Sequence, residues 1–146
     1  MKKYFFSLFL IFSIINVFSQ DADKILGKWK NEKEEHIIEI YKSNDIYYGR
    51  VIWLKDSNKG KGNERVDIKN PNTALENRKI IGIDYLLSFA YFTDRDVWKN
   101  GSIYNYETGN TYEGKISLNS KGELELTGYY GILWFLGRTK TYLKAN

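Results

Sequence analysis

Two segments near the end of the chain alternate between apolar and polar residues with the period of a β-strand. One face of residues 111–118 carries Tyr112, Gly114, Ile116 and Leu118. After the turn residues 119–122, one face of residues 124–130 carries Leu124, Leu126, Gly128 and Tyr130. Because the apolar face of a half-buried strand packs on the core, the pattern predicts a β-hairpin with these residues pointing inward.

Similar short runs, separated by clusters of Gly, Asn, Asp and Ser, recur along the chain at the spacing of an all-β barrel or sandwich. The predicted strands begin near Gly27 and continue over residues 36–42, 46–53, 86–93, 96–106, 111–118, 124–130 and 137–144. Asn100-Gly101 fits either a two-residue turn or a glycine bulge. About eight antiparallel strands can close a barrel. The sequence therefore predicts a single antiparallel up-and-down barrel.

The long connection over residues 55–79 lacks a strand pattern and contains Gly60, Gly62 and Pro71. Connections of this length are uncommon unless they are functional or mobile. The segment is the best candidate for a lid or a partner-binding loop, with a short helical turn after residues 70–72. The alternative is an ordinary surface loop.

The first 19 residues have the pattern of a signal peptide. Lys2 and Lys3 precede an apolar run over residues 4–18, and Ser19 ends a suitable cleavage site. The run is shorter than the roughly 20 residues needed to span a bilayer. We expect cleavage after residue 19, export to the periplasm or the exterior, and one barrel domain over residues 20–146 that does not span the membrane.

Composition excludes several functional classes. The chain has no Cys, one His and one Pro, so it offers no disulfide, thiol nucleophile or all-protein His/Cys zinc site. Two of the positive charges behind the formal net charge of +4 are Lys2 and Lys3, which weakens a nucleic-acid role. The sequence predicts no cofactor and no metal site.

Candidate catalytic residues are few. His36 lies in the charged run 32–36, where we expect it to be solvated and without the pocket that a general base needs. The segment from Asp56 to Asp67 begins like a calcium loop but fails as one because Lys61 occupies the glycine position. Asp94 and Asp96 fit an ordinary surface turn. We therefore expect no catalytic residues and no enzymatic activity.

The aromatic residues carry the main functional signal. The chain contains 12 Tyr and 4 Trp, and such side chains suit surfaces that are half apolar and half wet. Alternation places Trp98, Ser102, Tyr104 and Tyr106 on one face. The sequence predicts that Trp98, Tyr104, Tyr112 and Tyr130 line a cavity for a small hydrophobic or amphipathic ligand.

Two other interpretations of the aromatic residues remain. The rings could fill the barrel, since eight-stranded barrels can be packed solid. They could also point outward and stack on sugars; Tyr47 and Tyr48 are adjacent, so one of them must face away from the interior.

An apolar run between Gly131 and Gly137 supports an alternative function. It consists of Ile132, Leu133, Trp134, Phe135 and Leu136. Five consecutive apolar residues cannot all face inward on a strand, so the run is either a short helix capping the barrel or an exposed patch that contacts a membrane or partner. In that case the protein would be an interaction module of the cell envelope with a filled barrel.

Gly27-Lys28-Trp29, after a possible helical turn at residues 22–26, resembles the opening Gly-x-Trp of lipocalin-like barrels. The resemblance implies that Trp29 plugs one end of the barrel and that a basic residue of the last strand packs over it. Arg138 is the candidate for this barrel floor, with Lys140 and Lys144 as alternatives. An arginine stacked on an indole is physically reasonable.

The chain from residue 20 onward resembles the bacterial exported family called domain of unknown function 2147. The matching stretches are residues 25–29, 47–51, 70–72 with Arg78, Trp98 with 101–104, 109–112, 128–131 and 137–139. The resemblance implies a small exported lipocalin-like barrel with no established activity. Tyr106 stands where the family tends to have proline, and Tyr142 and Lys144 stand where it tends to have tryptophan and arginine.

Overall fold

The computed structural model describes residues 21–55, 64–131 and 136–146. They form a closed antiparallel barrel in which each strand pairs with its neighbours in sequence and the last pairs with the first. The strands are β1 (Gly27–Asn31), β2 (His36–Ser43), β3 (Ile46–Leu54), β4 (Asp84–Phe92), β5 (Val97–Asn105), β6 (Asn110–Leu118), β7 (Leu124–Tyr129) and β8 (Arg138–Lys144). The predicted eight-stranded barrel is confirmed.

Some sequence predictions lie outside the described residues. These are the signal peptide over residues 1–19, the middle of the long connection at residues 56–63, and residues 132–135 of the apolar run, namely Ile132, Leu133, Trp134 and Phe135. Among the described residues, no helix has the length and apolar character needed to cross a membrane.

One end of the barrel, the closed end, is covered by the turn Asp23–Ile25 before β1. Ile25 is fully buried, and its carbonyl accepts a hydrogen bond of 2.8 Å from Nε1 of the buried Trp29. Nζ of Lys144 lies 4.5 Å from the centre of the Trp29 ring and donates to the carbonyl of Leu26. Lys144 thus supplies the cation over the tryptophan.

The assignment of Arg138 to the barrel floor is therefore corrected. Arg138 and Lys144 lie at opposite ends of β8, and six steps of about 3.3 Å separate them by about 20 Å. Since Lys144 reaches the closed end, Arg138 lies at the other end, which we call the open end.

The interior next to the closed end is packed with side chains. The Phe89 ring covers Gly101 and Gly114, where a Cβ atom would come within 2.5 Å and 2.6 Å of the ring. Leu86 covers Gly49 in the same way, at 2.8 Å. These glycines let large side chains cross the barrel axis, so this half of the interior is filled.

A bulge in β5 changes which residues of that strand face inward. Trp98 pairs with Ile116, but Gly101 pairs with Gly114, so β5 contains one extra residue. Asn100, which has a φ of 60°, is the extra residue of this bulge. Of the two alternatives for Asn100-Gly101, the structure selects the bulge. Trp98 and Tyr104 consequently lie on opposite faces of β5, against the prediction that they share one.

Candidate ligand-binding site

The open end contains a cavity of about 430 Å³. Its lining residues come from β4 to β8 and from the segments next to them: Tyr85, Ile103, Asn105, Tyr112, Leu126, Gly128, Tyr130, Leu136, Arg138 and Lys140. The rings of Tyr112 and Tyr130 lie 6.0 Å apart at 57° and form one wall. Apolar side chains thus line the cavity together with three tyrosines and two cations, a composition typical of sites for small molecules.

A second cavity of about 290 Å³ adjoins the first and shares Tyr85, Asn105 and Lys140 with it. Its other lining residues are Glu35, His36, Leu54, Lys55, Arg65, Tyr106 and Glu107. Arg65 forms an ion pair with Glu107, and Glu35 accepts a hydrogen bond of 3.4 Å from Asn31. Both carboxylates of this second cavity therefore have partners.

The strand register directs the side chains of Arg138 and Lys140 into the first cavity. Arg138 pairs with Gly128, and Lys140 pairs with Leu126. Residues paired across antiparallel strands share a face, and the buried Leu126 shows that this face is the interior one. Within the described residues, neither cation forms an ion pair.

His36 is buried beneath the open end between three tyrosines, so the prediction of a solvated histidine is wrong. Its Nε2 lies 2.9 Å from the hydroxyl of Tyr142, and its Nδ1 lies 3.1 Å from the hydroxyl of Tyr106. The Tyr142 hydroxyl in turn donates to that of Tyr85 at 3.4 Å. With a proton on Nε2 of His36 only, every bond in this chain has one donor and one acceptor.

The surroundings of His36 favour its neutral form. Burial and the positive charge of Lys140 lower its pKa to about 4, against the smaller opposing effects of Glu35 and Glu107. Burial also raises the pKa of the Tyr142 hydroxyl well above its ordinary value. The base of the open end is therefore a neutral, hydrogen-bonded network at physiological pH.

Of the four predicted ligand-binding residues, two line the cavity. Tyr112 and Tyr130 do so, and Tyr130 is 66% exposed at the mouth. Trp98 is fully buried near the closed end, where Nε1 donates to the carbonyl of Ala22 at 3.2 Å and the ring packs on Tyr91 at 4.9 Å. Tyr104 faces out of the barrel.

Tyr104 instead anchors the described part of the long connection to the outer wall. Its hydroxyl donates to the carboxylate of Asp67 at 2.6 Å. Asp67 is fully buried and also accepts from Arg78 at 2.9 Å and from Asn70 at 2.7 Å. The predicted short helical turn is found at Thr73–Leu75, capped by the side chain of Asn72.

Replacing Asp67 with alanine is expected to release this segment at a cost of about 2 kcal/mol in unfolding free energy, because Tyr104 loses its buried acceptor while Arg78 can turn to solvent. Hydrogen exchange should accelerate at the amides of Asp67 and Ile80, which bond to Arg78 and Arg65. Asp94→Ala, at a side chain 69% exposed, is the matched control. Equal effects of the two substitutions would show that Asp67 anchors nothing.

The outward tyrosines lie on β2 and β3. Tyr47 is buried, whereas Tyr48 faces outward and stacks on Tyr41 at 5.5 Å and 21°. The guanidinium of Arg50 lies 4.0 Å from the centre of the Tyr41 ring. Because Arg50 occupies a face of this pair, the surface offers less stacking area to a sugar than the sequence suggested.

Sequence reasoning missed several cavity residues, chiefly Tyr85, Asn105 and Lys140. A signal for Lys140 was present, since alternation along residues 138–144 places Arg138, Lys140 and Lys144 on the same face as Tyr142. Cations on the inward face of a barrel strand are unusual unless they meet a wet cavity or cover a ring. No local signal identifies Tyr85 or Asn105, which join the site through long-range pairing.

The closed end with its buried tryptophan and the cavity at the open end define a lipocalin-like barrel. The solved structure of protein HP1028 from the human pathogen Helicobacter pylori, which belongs to the lipocalin family, matches with a TM-score of 0.71 at 27% identity, covering 84% of this chain and 83% of that chain. The model of the DUF2147 family, described as uncharacterized proteins conserved in bacteria, matches residues 27–144. The chain belongs to this family. No curated protein matches it.

Proposed function

We propose that the protein binds a small hydrophobic or amphipathic molecule in the open end of the barrel. The observation that carries this proposal is the cavity of about 430 Å³ between Tyr112, Leu126 and Arg138, in a barrel of the size that holds one small ligand. The packed half around Phe89 limits the depth of the site, so the ligand is short.

We also propose that the protein is exported and catalyses no reaction. Both ring nitrogens of His36 are held by tyrosine hydroxyls, so this imidazole has no free nitrogen to act as a general base. Asp96 is held by Lys24 and Tyr91. The signal-peptide pattern of residues 1–19 supports export.

The alternative function, an interaction module of the cell envelope, finds less support. It requires a filled barrel, whereas the residues that the structure describes pack the half next to the closed end and leave a cavity at the open end. Leu136, the described member of the apolar run, is 64% exposed but lines the cavity mouth. Its exposure is therefore accounted for without a protein partner.

Gly128→Leu tests the cavity directly. A Cβ atom at Gly128 would meet Ile103 at 3.5 Å and Tyr112 at 3.7 Å, which is ordinary contact, so the leucine should fit the strand and fill the cavity. We expect the affinity for the neutral fluorescent probe N-phenylnaphthylamine to fall about tenfold, or about 1.4 kcal/mol. The melting temperature should stay nearly unchanged.

Ser117→Leu adds the same side chain to the outer face of β6, beside the inward Ile116, and serves as the control. It should leave probe affinity unaltered. Unchanged probe affinity in Gly128→Leu, or no saturable probe binding by the unsubstituted protein, would contradict the proposed function.

A further inference from the structure

The two cations of the open-end cavity form no ion pair with any residue that the structure describes. The lining of the first cavity contains Arg138 and Lys140 and no carboxylate. In the adjoining cavity, which Lys140 also lines, Glu107 is paired with Arg65. Glu35 accepts a hydrogen bond from the uncharged amide of Asn31, and Lys55 adds a further cation to that lining. The network around His36 is neutral, so it contributes no negative charge. Within the described part of the chain, neither cation of the cavity is therefore paired with a carboxylate.

The polar and apolar groups of the cavity are also segregated. Arg138 and Lys140 are exposed, whereas Ile103 and Leu126, in the lining of the same cavity, are buried. A ligand seated here meets two solvent-accessible cations and, deeper from solvent, buried apolar side chains. Arginine at such a position suits a planar anion, because its guanidinium can donate two parallel hydrogen bonds to it.

We propose that the ligand is an organic anion with a short apolar body, its anionic group held by Arg138 and Lys140 at the mouth and its body lying against Ile103 and Leu126. This inference rests on the proposed function and specifies its ligand class. The length of the apolar body is limited, because the Phe89 ring packs over Gly101 and Gly114 beside Ile103.

Three probes that share one alkyl chain and differ in head group separate the contribution of the head group from that of the chain. They are octanoate, octanol and octylammonium, and each is titrated into the protein by calorimetry. We expect octanoate to bind about tenfold more tightly than octanol, since two partly exposed cations each add a modest attraction. Octylammonium should bind more weakly than octanol. Added salt should weaken octanoate binding and leave octanol binding unchanged.

The variant Arg138→Gln with Lys140→Gln should lower octanoate affinity about tenfold, to the octanol level. Octanol binding by this variant should persist, which also shows that its barrel is folded; Lys140→Gln alone is the milder second variant. The control removes two lysines outside the cavity, Lys115→Gln with Lys121→Gln, and should change none of the affinities.

The outcomes distinguish the two proposals. If octanol and octanoate bind equally, or if the cavity variant keeps the preference for octanoate, the head-group inference is overturned while the proposed function stands. If none of the three probes binds, the proposed function fails and the inference fails with it.

Discussion

Gly114→Ala is expected to lower the free energy of unfolding by about 3 kcal/mol, a large effect for one methyl group. The added Cβ atom would lie 2.6 Å from Cζ of Phe89 and 2.9 Å from Cγ1 of Ile103. The Phe89 ring is fully buried in the packed half and has no room to withdraw, whereas Ile103 borders the open-end cavity and can shift. Urea unfolding measures the change.

The control lies directly across the ladder, since Gly128 pairs with Gly114. A Cβ atom at Gly128 makes only ordinary contacts, so Gly128→Ala should change stability by no more than about 0.5 kcal/mol. In a double-mutant cycle, replacing the obstructing ring by Phe89→Leu should restore most of the unfolding free energy that Gly114→Ala loses. Equal costs at the two glycines, or no coupling to Phe89, would contradict the packed interior.

Acidification from pH 6.5 to about 4 is expected to remove about 3 kcal/mol of stability through His36 alone. The folded protein lowers the pKa of this imidazole to about 4, mainly by burial. In this interval the unfolded chain binds a proton that the folded chain does not, so stability is fully present above pH 6.5 and falls with pH. Protonation also makes Nδ1 a donor, and Tyr106 can then no longer donate to it.

The measurement is the free energy of unfolding against pH for the unsubstituted protein and for His36→Gln. The glutamine variant should start less stable and show a flatter dependence between pH 6.5 and pH 4, because ordinary carboxylates titrate in the same way in both proteins. Parallel pH curves would show that His36 is not held neutral in the folded state.

Local sequence pattern is sufficient for the strands and their turns. The alternation of residues 111–118 and 124–130 predicted β6 and β7 to within one residue, because side chains on a strand alternate strictly and turn residues punctuate the runs. The number of strands then predicted closure of the barrel.

Alternation predicted the wrong inward-facing residues in β5, because that strand contains one extra residue. The bulge at Asn100 reverses the phase of β5, so Trp98 and Tyr104 point in opposite directions. Asn100-Gly101 indicated an irregularity but left a turn and a bulge as equal alternatives. Only the pairing with β6, which is a long-range property, decides between them.

The environments of His36 and Arg138 could not be predicted from their neighbours in sequence. His36 follows four residues, of which three are glutamate and one is lysine, yet it starts β2 and turns inward toward Tyr142, over 100 positions away. Arg138 shares its face with Lys144, and only the direction of β8 places Lys144, not Arg138, over Trp29. Both errors concern placement by distant parts of the chain, which neighbouring residues do not determine.

The most direct test of the central claim is a nuclear magnetic resonance titration of the isotope-labelled protein with octanoate. We expect saturable shifts at the amides of residues lining the open end, such as Ile103, Tyr112 and Gly128, and none at Trp98 or Ile116 in the packed half. Saturable shifts confined to the outer face or the closed end, or no saturable shifts, would contradict a ligand site in the open end of the barrel.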